Sequence, residues 1–174
     1  MAAVEWTGAR YADKPTVEAS TWIDADPARV WSLVTDIALM PTMSDELQSV
    51  EWADGATAPR LGASFVGHNR HDAFGEWSTT SYIVSCDEPN EFAWAVGNAD
   101  HPAATWRFRL TPRDGGTALN YWAQMGPAPS GLSVAIEAMP EREQKIVFVR
   151  MREFENGISK TLAAIKRLAE RGVQ

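Results

Sequence analysis

Residues 140–171 read PEREQKIVFVRMREFENGISKTLAAIKRLAER, and this stretch decides the fold. Apolar residues recur in it at spacings of three and four, which is the period of an amphipathic helix. The apolar stripe consists of Val147, Met151, Phe154, Ile158, Leu162, Ile165 and Leu168. At roughly 1.5 Å per residue such a helix is about 45 Å long. Only a sheet that spans the whole domain could cover a stripe of that length.

Upstream of this helix, strand-like runs alternate with short turns. A first strand is predicted at residues 16–24, and Asp26-Pro27 then gives an N-cap and a proline at the first helical position. That helix is expected to break into two near Thr35-Asp36 and to stop at Met40-Pro41. Six further strands are predicted at residues 47–52, 63–71, 76–86, 91–96, 104–110 and 117–125. Consecutive strands with short connections, such as residues 112–116, indicate an antiparallel meander.

Composition excludes several classes of function. The chain has 174 residues and a net charge of -7, and it has no cluster of Lys and Arg that could neutralise nucleic-acid phosphates. Cys86 is its one cysteine, and its three histidines lack metal-ligand spacing, so we expect no metal site and no cofactor. No apolar run approaches the ~20 residues of a membrane span. We therefore expect a cytoplasmic protein with one domain at residues 15–174, after an N-terminal lead-in at residues 1–14.

Several local sequences resemble those of the helix-grip superfamily, which includes START, Bet v 1-like and SRPBCC proteins. Ile23–Trp31 is similar to the family's strand-to-helix opening, and Thr35-Asp36 followed by Met40-Pro41 is similar to its helix break. Residues 62–70 resemble the glycine-bracketed strand of the bacterial polyketide cyclase/dehydrase-like branch. Glu88-Pro89 before a Phe-Ala-Trp run and Gly115-Gly116 before the last strand also fit.

The resemblance implies an α+β fold in which a curved seven-stranded antiparallel sheet wraps around the long C-terminal helix, with two short helices after the first strand. It also implies a pocket between the sheet and that helix. Strand parity then selects the side chains that point inward. The predicted ligand-binding residues are Phe65, Asn69, Trp77, Thr79, Trp94, Trp106, Phe108, Tyr121, Val147 and Phe154. Each ring among them could equally be plain core.

Five polar residues are candidates for chemistry in such a pocket: Asn69, His71, Tyr121, Glu143 and Arg150. For Asn69, the alternative is a side chain whose hydrogen bonds are satisfied by the backbone near a hairpin, which the sequence favours slightly. For Glu143 and Arg150, which flank the apolar stripe, the alternative is an exposed charge that pairs with its neighbours. Residues 126–139 could form a lid over the pocket or an ordinary connection stiffened by proline.

Three functions are compatible with these features. The first is binding of a small hydrophobic molecule: a lipid, a polyketide or an aromatic metabolite. The second is a polyketide aromatase/cyclase or dehydratase that uses the polar residues of the pocket. The third is a protein-interaction module like the chaperone activators of the superfamily. Trp52 and Trp122, if they point outward, would suit that role or a homodimer interface.

Overall fold

The structure, a computed structural model, describes residues 3–171. Its order of elements is β1 (Thr16–Ile23), α1 (Pro27–Val34), a 3-10 segment (Ile37–Met43), β2 (Leu47–Ala53), β3 (Ser64–His71), β4 (Gly75–Asp87), β5 (Glu91–Val96), β6 (Ala104–Arg113), β7 (Gly116–Met125), α2 (Gly131–Ala138) and α3 (Glu143–Arg171). Short 3-10 turns also occur at Tyr11–Asp13 and Pro140–Arg142. Residues 1–2 of the predicted lead-in and residues 172–174 of the predicted domain lie outside the described residues.

The seven strands form one antiparallel sheet in the order β1-β7-β6-β5-β4-β3-β2. β2 to β7 are a meander, and β1 closes the far edge beside β7, where α3 packs along it. This arrangement confirms the helix-grip fold. No helix among residues 3–171 is both long enough and apolar enough to cross a membrane.

Local chemistry explains why the elements begin and end where they do. The Asp26 carboxylate caps α1 by accepting a hydrogen bond from the backbone N–H of Arg29 at 2.9 Å. The helix break expected near Thr35-Asp36 is present, because Asp36 caps the 3-10 segment through the N–H of Ala38. Asp114 and Gly115 join β6 to β7 with φ of 51° and 79°, as a type I′ hairpin requires.

The core lies between the inner face of the sheet and α3. Ile158, Leu162, Ile165 and Ala169, in the C-terminal half of α3, are buried against β1 and α1. Phe154, one turn before Ile158, is only half-buried. Val147 and Met151, nearer the start of α3, are also buried, so Phe154 stands out as an inward-facing residue of α3 that keeps accessible surface.

The N-terminal segment runs along the outside of α3. The Trp6 ring packs edge-on against Phe148 with centroids 5.3 Å apart, and the Tyr11 hydroxyl donates to the carbonyl of Ala128. A cavity of about 180 Å³ lies beneath this segment and is bordered by Val147 on α3.

Candidate functional site

Aromatic rings cover the inner face of the sheet. They form a continuous series from β2 to α3 in which each ring contacts the next. In order, the rings are those of Trp52, Phe65, Trp94, Tyr121, Trp106 and Phe154. Centroid distances along the series are 4.8–6.3 Å. Phe108 stacks on Tyr121 at 3.9 Å. All of these rings lie on one face because paired strand residues share a face.

Several side chains that lie on the inner face of the sheet or opposite it on α3 keep accessible surface. Trp77, Thr79, Trp106 and Phe154 are half-buried, unlike the packed residues at the α1 end. Gly67 lies on the same face, but the Leu47 side chain covers it: a Cβ added there would lie 2.9 Å from Leu47 Cδ1 and 3.9 Å from the Asn69 amide nitrogen and the Thr79 hydroxyl. We call the space bounded by these residues the inner hollow.

Polar groups on the wall of the inner hollow lack protein partners. Among the described residues, no hydrogen bond involves the hydroxyl of Tyr121 or the indole N–H of Trp94, although these residues are 8% and 7% exposed. Within residues 3–171, the one fully buried side-chain N or O atom without a partner is Nε of Arg107, on the outer face. The Tyr121 hydroxyl and the Trp94 N–H are therefore not fully buried, and they remain open to another molecule. Burial raises the pKa of Tyr121 far above its usual range, so its hydroxyl stays protonated.

An ion-pair cluster ties α3 to the β3–β4 hairpin. Arg150 donates to Glu153 at 2.7 Å and, from both terminal nitrogens, to the carboxylate of Glu46. His71 Nε2 lies 2.8 Å from the same Glu153 oxygen. Its ring lies against Phe74 at 4.5 Å. We call Glu46, His71, Arg150 and Glu153 the hairpin–helix cluster.

Electrostatics keep Arg150 charged. Burial by itself would lower the pKa of Arg150, but hydrogen bonds and opposite charges from Glu46 and Glu153 outweigh it and raise the pKa. The cluster thus brings two carboxyl groups to one guanidinium.

The tautomer of His71 follows from its partners. The backbone N–H of Ala73 donates to His71 Nδ1 at 2.9 Å, so Nδ1 must be the bare nitrogen. The proton then lies on Nε2 and is donated to Glu153.

That tautomer bears on metal binding. Oxygens of Glu46 and Glu153 and a nitrogen of His71 all lie within 4.8 Å of one another, a spacing that could suit a metal ion. However, Nε2 carries a proton and has no lone pair to offer, and Arg150 already supplies the cation between the carboxylates. The geometry therefore fits a network of salt bridges better than a metal centre.

The remaining candidate residues occupy different places. Asn69 is half-buried on the wall of the inner hollow, where its amide nitrogen makes one long bond of 3.4 Å to the carbonyl of Gly67. Glu143 lies away from the hollow: it accepts hydrogen bonds from the Arg10 side chain and the Tyr11 N–H, so it anchors the N-terminal segment. Val147 is fully buried, with 1% exposure, beside the cavity under that segment.

Sequence reasoning missed two members of the cluster and misplaced one ring. Glu46 and Glu153 were not among the candidates, although Glu153 stands three residues after Arg150 and so shares its helix face.

The suggestion that Trp52 points outward is wrong, because Trp52 pairs with Phe65 in the sheet and packs against it. Trp52 also borders a groove of about 430 Å³ between the 3-10 segment and β2. Trp122 does point outward, with the Arg107 guanidinium 4.5 Å above its ring.

Solved structures share this architecture. The Polyketide_cyc-like protein Cgl2372 of Corynebacterium glutamicum is 26% identical over 91% of this chain and 93% of its own, with a TM-score of 0.66. The Zhui aromatase/cyclase of Streptomyces sp. R1128 is 16% identical over 92% and 96% of the two chains, also with a TM-score of 0.66. The di-domain aromatase/cyclase StfQ of the steffimycin biosynthetic pathway is 12% identical, with a TM-score of 0.67 over 90% of this chain and 50% of its own.

A family model also matches the sequence. The model described as polyketide cyclase/dehydrase and lipid transport covers residues 14–153, which include all seven strands and the start of α3. No curated protein matches the chain. Because the model spans most of the sequence and the inner face has the expected form, this chain belongs to the polyketide cyclase/dehydrase and lipid transport family.

Proposed function

We propose that the chain binds a small hydrophobic molecule in the inner hollow. The observation that carries this proposal is the accessible surface kept by Trp77, Trp106 and Phe154 on the inner face, where the rings of Trp106 and Phe154 bring the sheet and α3 into contact. Rings of this size bury 150–250 Å² each in a typical interior, so the surface that these rings keep on the inner face is apolar area that a ligand could cover. Flat rings around an enclosed space are typical of sites for planar or lipid-like ligands.

Native mass spectrometry followed by organic extraction tests this proposal. The expected result is a lipid or aromatic compound that travels with the protein and is released on denaturation. An adjacent pair of threonines supplies a matched test of location. Thr79 faces the inner hollow, whereas Thr80 has the opposite parity on the same strand.

Thr79→Phe should fill the hollow and abolish ligand capture, and Thr80→Phe should leave capture unchanged. Both variants should first be shown by circular dichroism to fold. Equal capture by the two folded variants would overturn the proposed location. A protein that carries no ligand, and that shows no fluorescence response to a panel of hydrophobic probes, would overturn the function itself.

A second candidate function is a polyketide cyclase or dehydratase. The specific observation in its favour is the unpaired, protonated hydroxyl of Tyr121, held among the rings of Trp94 and Trp106. A hydroxyl in that position could hydrogen-bond a carbonyl oxygen of a bound polyketone and so stabilise an enol or enolate. If Tyr121→Phe turned over a candidate polyketone at the rate of the unmodified protein, Tyr121 would have no such role.

A further inference from the structure

A groove of about 430 Å³ lies at one edge of the sheet, between β2 and the 3-10 segment Ile37–Met43. Val50, Glu51 and Trp52 line it from β2, and residues 57–59 line it from the loop after β2. The residues that bound the inner hollow do not border this groove, so it is a different site. We call it the edge groove.

The main chain of β2 is open at the edge of the sheet. β2 is the last strand in the sheet order, and β3 is its one neighbour among the described strands. From Gln48 to Trp52, the described residues supply no backbone hydrogen bond to β2 except those from β3. The N–H and C=O groups that point away from β3 are therefore free to pair with another chain. An extended peptide that binds such an edge becomes an additional strand.

Apolar side chains form one wall of the edge groove. Val50 and Trp52 lie on the inner face of β2, where Trp52 packs edge-on against Phe65 and stays half-buried. Ile37 of the 3-10 segment borders the same groove. These side chains offer an apolar contact to any residue of an added strand that points to the inner face.

The charged side chains that line the edge groove are acidic. Glu51 points to the outer face with 70% of its side chain exposed, and Asp36 adds a second exposed carboxylate. His68 Nε2 lies 3.4 Å from Glu51, and none of the described residues that line the groove is Lys or Arg. The whole chain carries a net charge of -7, which further favours a basic partner.

We propose that the edge groove binds an extended, basic segment of a partner protein, which adds to β2 as an eighth strand of the sheet. Side chains of a strand alternate between the two faces of a sheet. A segment in which apolar and basic residues alternate would therefore place the apolar ones beside Trp52 and the basic ones beside Glu51. Because the edge groove is distinct from the inner hollow, this interaction is additional to the proposed function and does not depend on it.

Fluorescence anisotropy with labelled hexapeptides tests this interaction at about 0.15 M salt, where long-range attraction between charges is screened. A peptide of alternating valine and lysine should bind saturably, and one of alternating valine and glutamate should not. Two further forms of the valine–lysine peptide carry backbone N-methyl groups, either on every valine or on every lysine. Only one of these forms should lose binding, because the N–H groups of alternate residues in a strand point to opposite sides.

Two carboxylates at opposite edges of the sheet give a matched pair of variants. Glu51→Gln should weaken binding of the valine–lysine peptide about 2- to 5-fold, the range of an exposed ion pair. Glu18→Gln lowers the net negative charge of the chain by the same amount, but Glu18 is exposed on β1 at the far edge, so the affinity should not change. In NMR spectra, the indole N–H signal of Trp52 should move on binding, and that of Trp22 on β1 should not.

Several results would overturn the proposal and leave the inner hollow untouched. They are equal binding of the lysine and glutamate peptides, equal weakening by Glu51→Gln and Glu18→Gln, and the same response of both N-methylated forms. Absence of binding up to about 1 mM peptide would overturn it too. A dimer in sedimentation analysis whose Trp52 signal is unchanged by peptide would assign the groove to a second copy of the chain and overturn it as well.

Discussion

Replacing Arg150 with methionine should destabilise the protein by about 2–3 kcal/mol. The change removes the cation that lies between the carboxylates of Glu46 and Glu153 and leaves them facing each other. Breaking a fully buried ion pair costs about 3–5 kcal/mol, and breaking a surface pair costs about 0–1 kcal/mol. The Arg150 side chain is 14% exposed and the two carboxylates are 30% and 32% exposed, so the cluster lies between those limits.

Methionine is the suitable replacement because its stem keeps the packing between the rings of Phe74 and Phe154, which lie 5.4 and 5.2 Å from the guanidinium carbon. The loss of stability should therefore measure the lost charge interactions and hydrogen bonds, and not the cost of a cavity. Urea unfolding at pH 7 measures it, and the thermal midpoint should fall by about 4–12 °C. Adding Glu46→Gln to Arg150→Met should recover part of the loss, since it removes one of the two repelling charges.

Arg152→Met is the matched control. Arg152 lies two residues further along α3, exposed to solvent, and its contact is the Phe148 ring at 5.9 Å. It should change the free energy of unfolding by less than about 0.5 kcal/mol. If Arg150→Met and Arg152→Met were equally stable, the hairpin–helix cluster would not hold α3 to Glu46 before β2 and to His71 at the end of β3, and the argument would fail.

Three further predictions concern individual side chains. The pKa of Glu91 is lowered by hydrogen bonds from Ser85 and Arg109, so the stability it adds should be present at pH 7 and lost as the pH falls through its folded-state pKa. In urea unfolding, Glu91→Gln should be less stable than the parent at pH 7, and the difference should shrink as the pH falls through that pKa; a constant difference would contradict this. Burial, with the charge of Glu88 as a smaller cause, raises the pKa of the Cys86 thiol, so a disulfide reagent should modify it more slowly at pH 8 in the folded protein than in urea, and equal rates would refute the effect. Long-range ¹H–¹⁵N NMR spectra should show His71 with its proton on Nε2, and a proton on Nδ1 would rule out the hydrogen bonds assigned to it.

Strand parity and helix period were enough to predict the inner face from sequence. Phe65, Trp94, Phe108 and Tyr121 all face inward, because alternation along a strand is a local property that survives small errors in strand ends. The predicted stripe on α3 also corresponds to a buried face. The helix itself begins at Glu143, after a 3-10 turn at Pro140–Arg142.

Contacts between distant elements could not be predicted in this way. Arg150 and Glu46 are separated by 104 residues, and no local sequence pattern around either residue indicates that the two make contact. The same holds for Trp6 and Phe148, because residues 3–15 have no periodicity to indicate that they pack along α3. Trp52 was misjudged for a related reason: the register of β2 shifts between Leu47 and Ser49, which sequence parity does not reveal.

The most direct test of the central claim is a ¹⁵N-correlated NMR spectrum of the eight tryptophan indole N–H groups, recorded with and without 9,10-anthraquinone. Assignments come from single Trp→Phe variants. The account predicts that the signals of Trp77, Trp94 and Trp106 move on binding, while those of Trp6 and Trp22, which lie outside the inner hollow, do not. Movement of the Trp6 signal alone would place the ligand beneath the N-terminal segment and contradict a binding site between the sheet and α3.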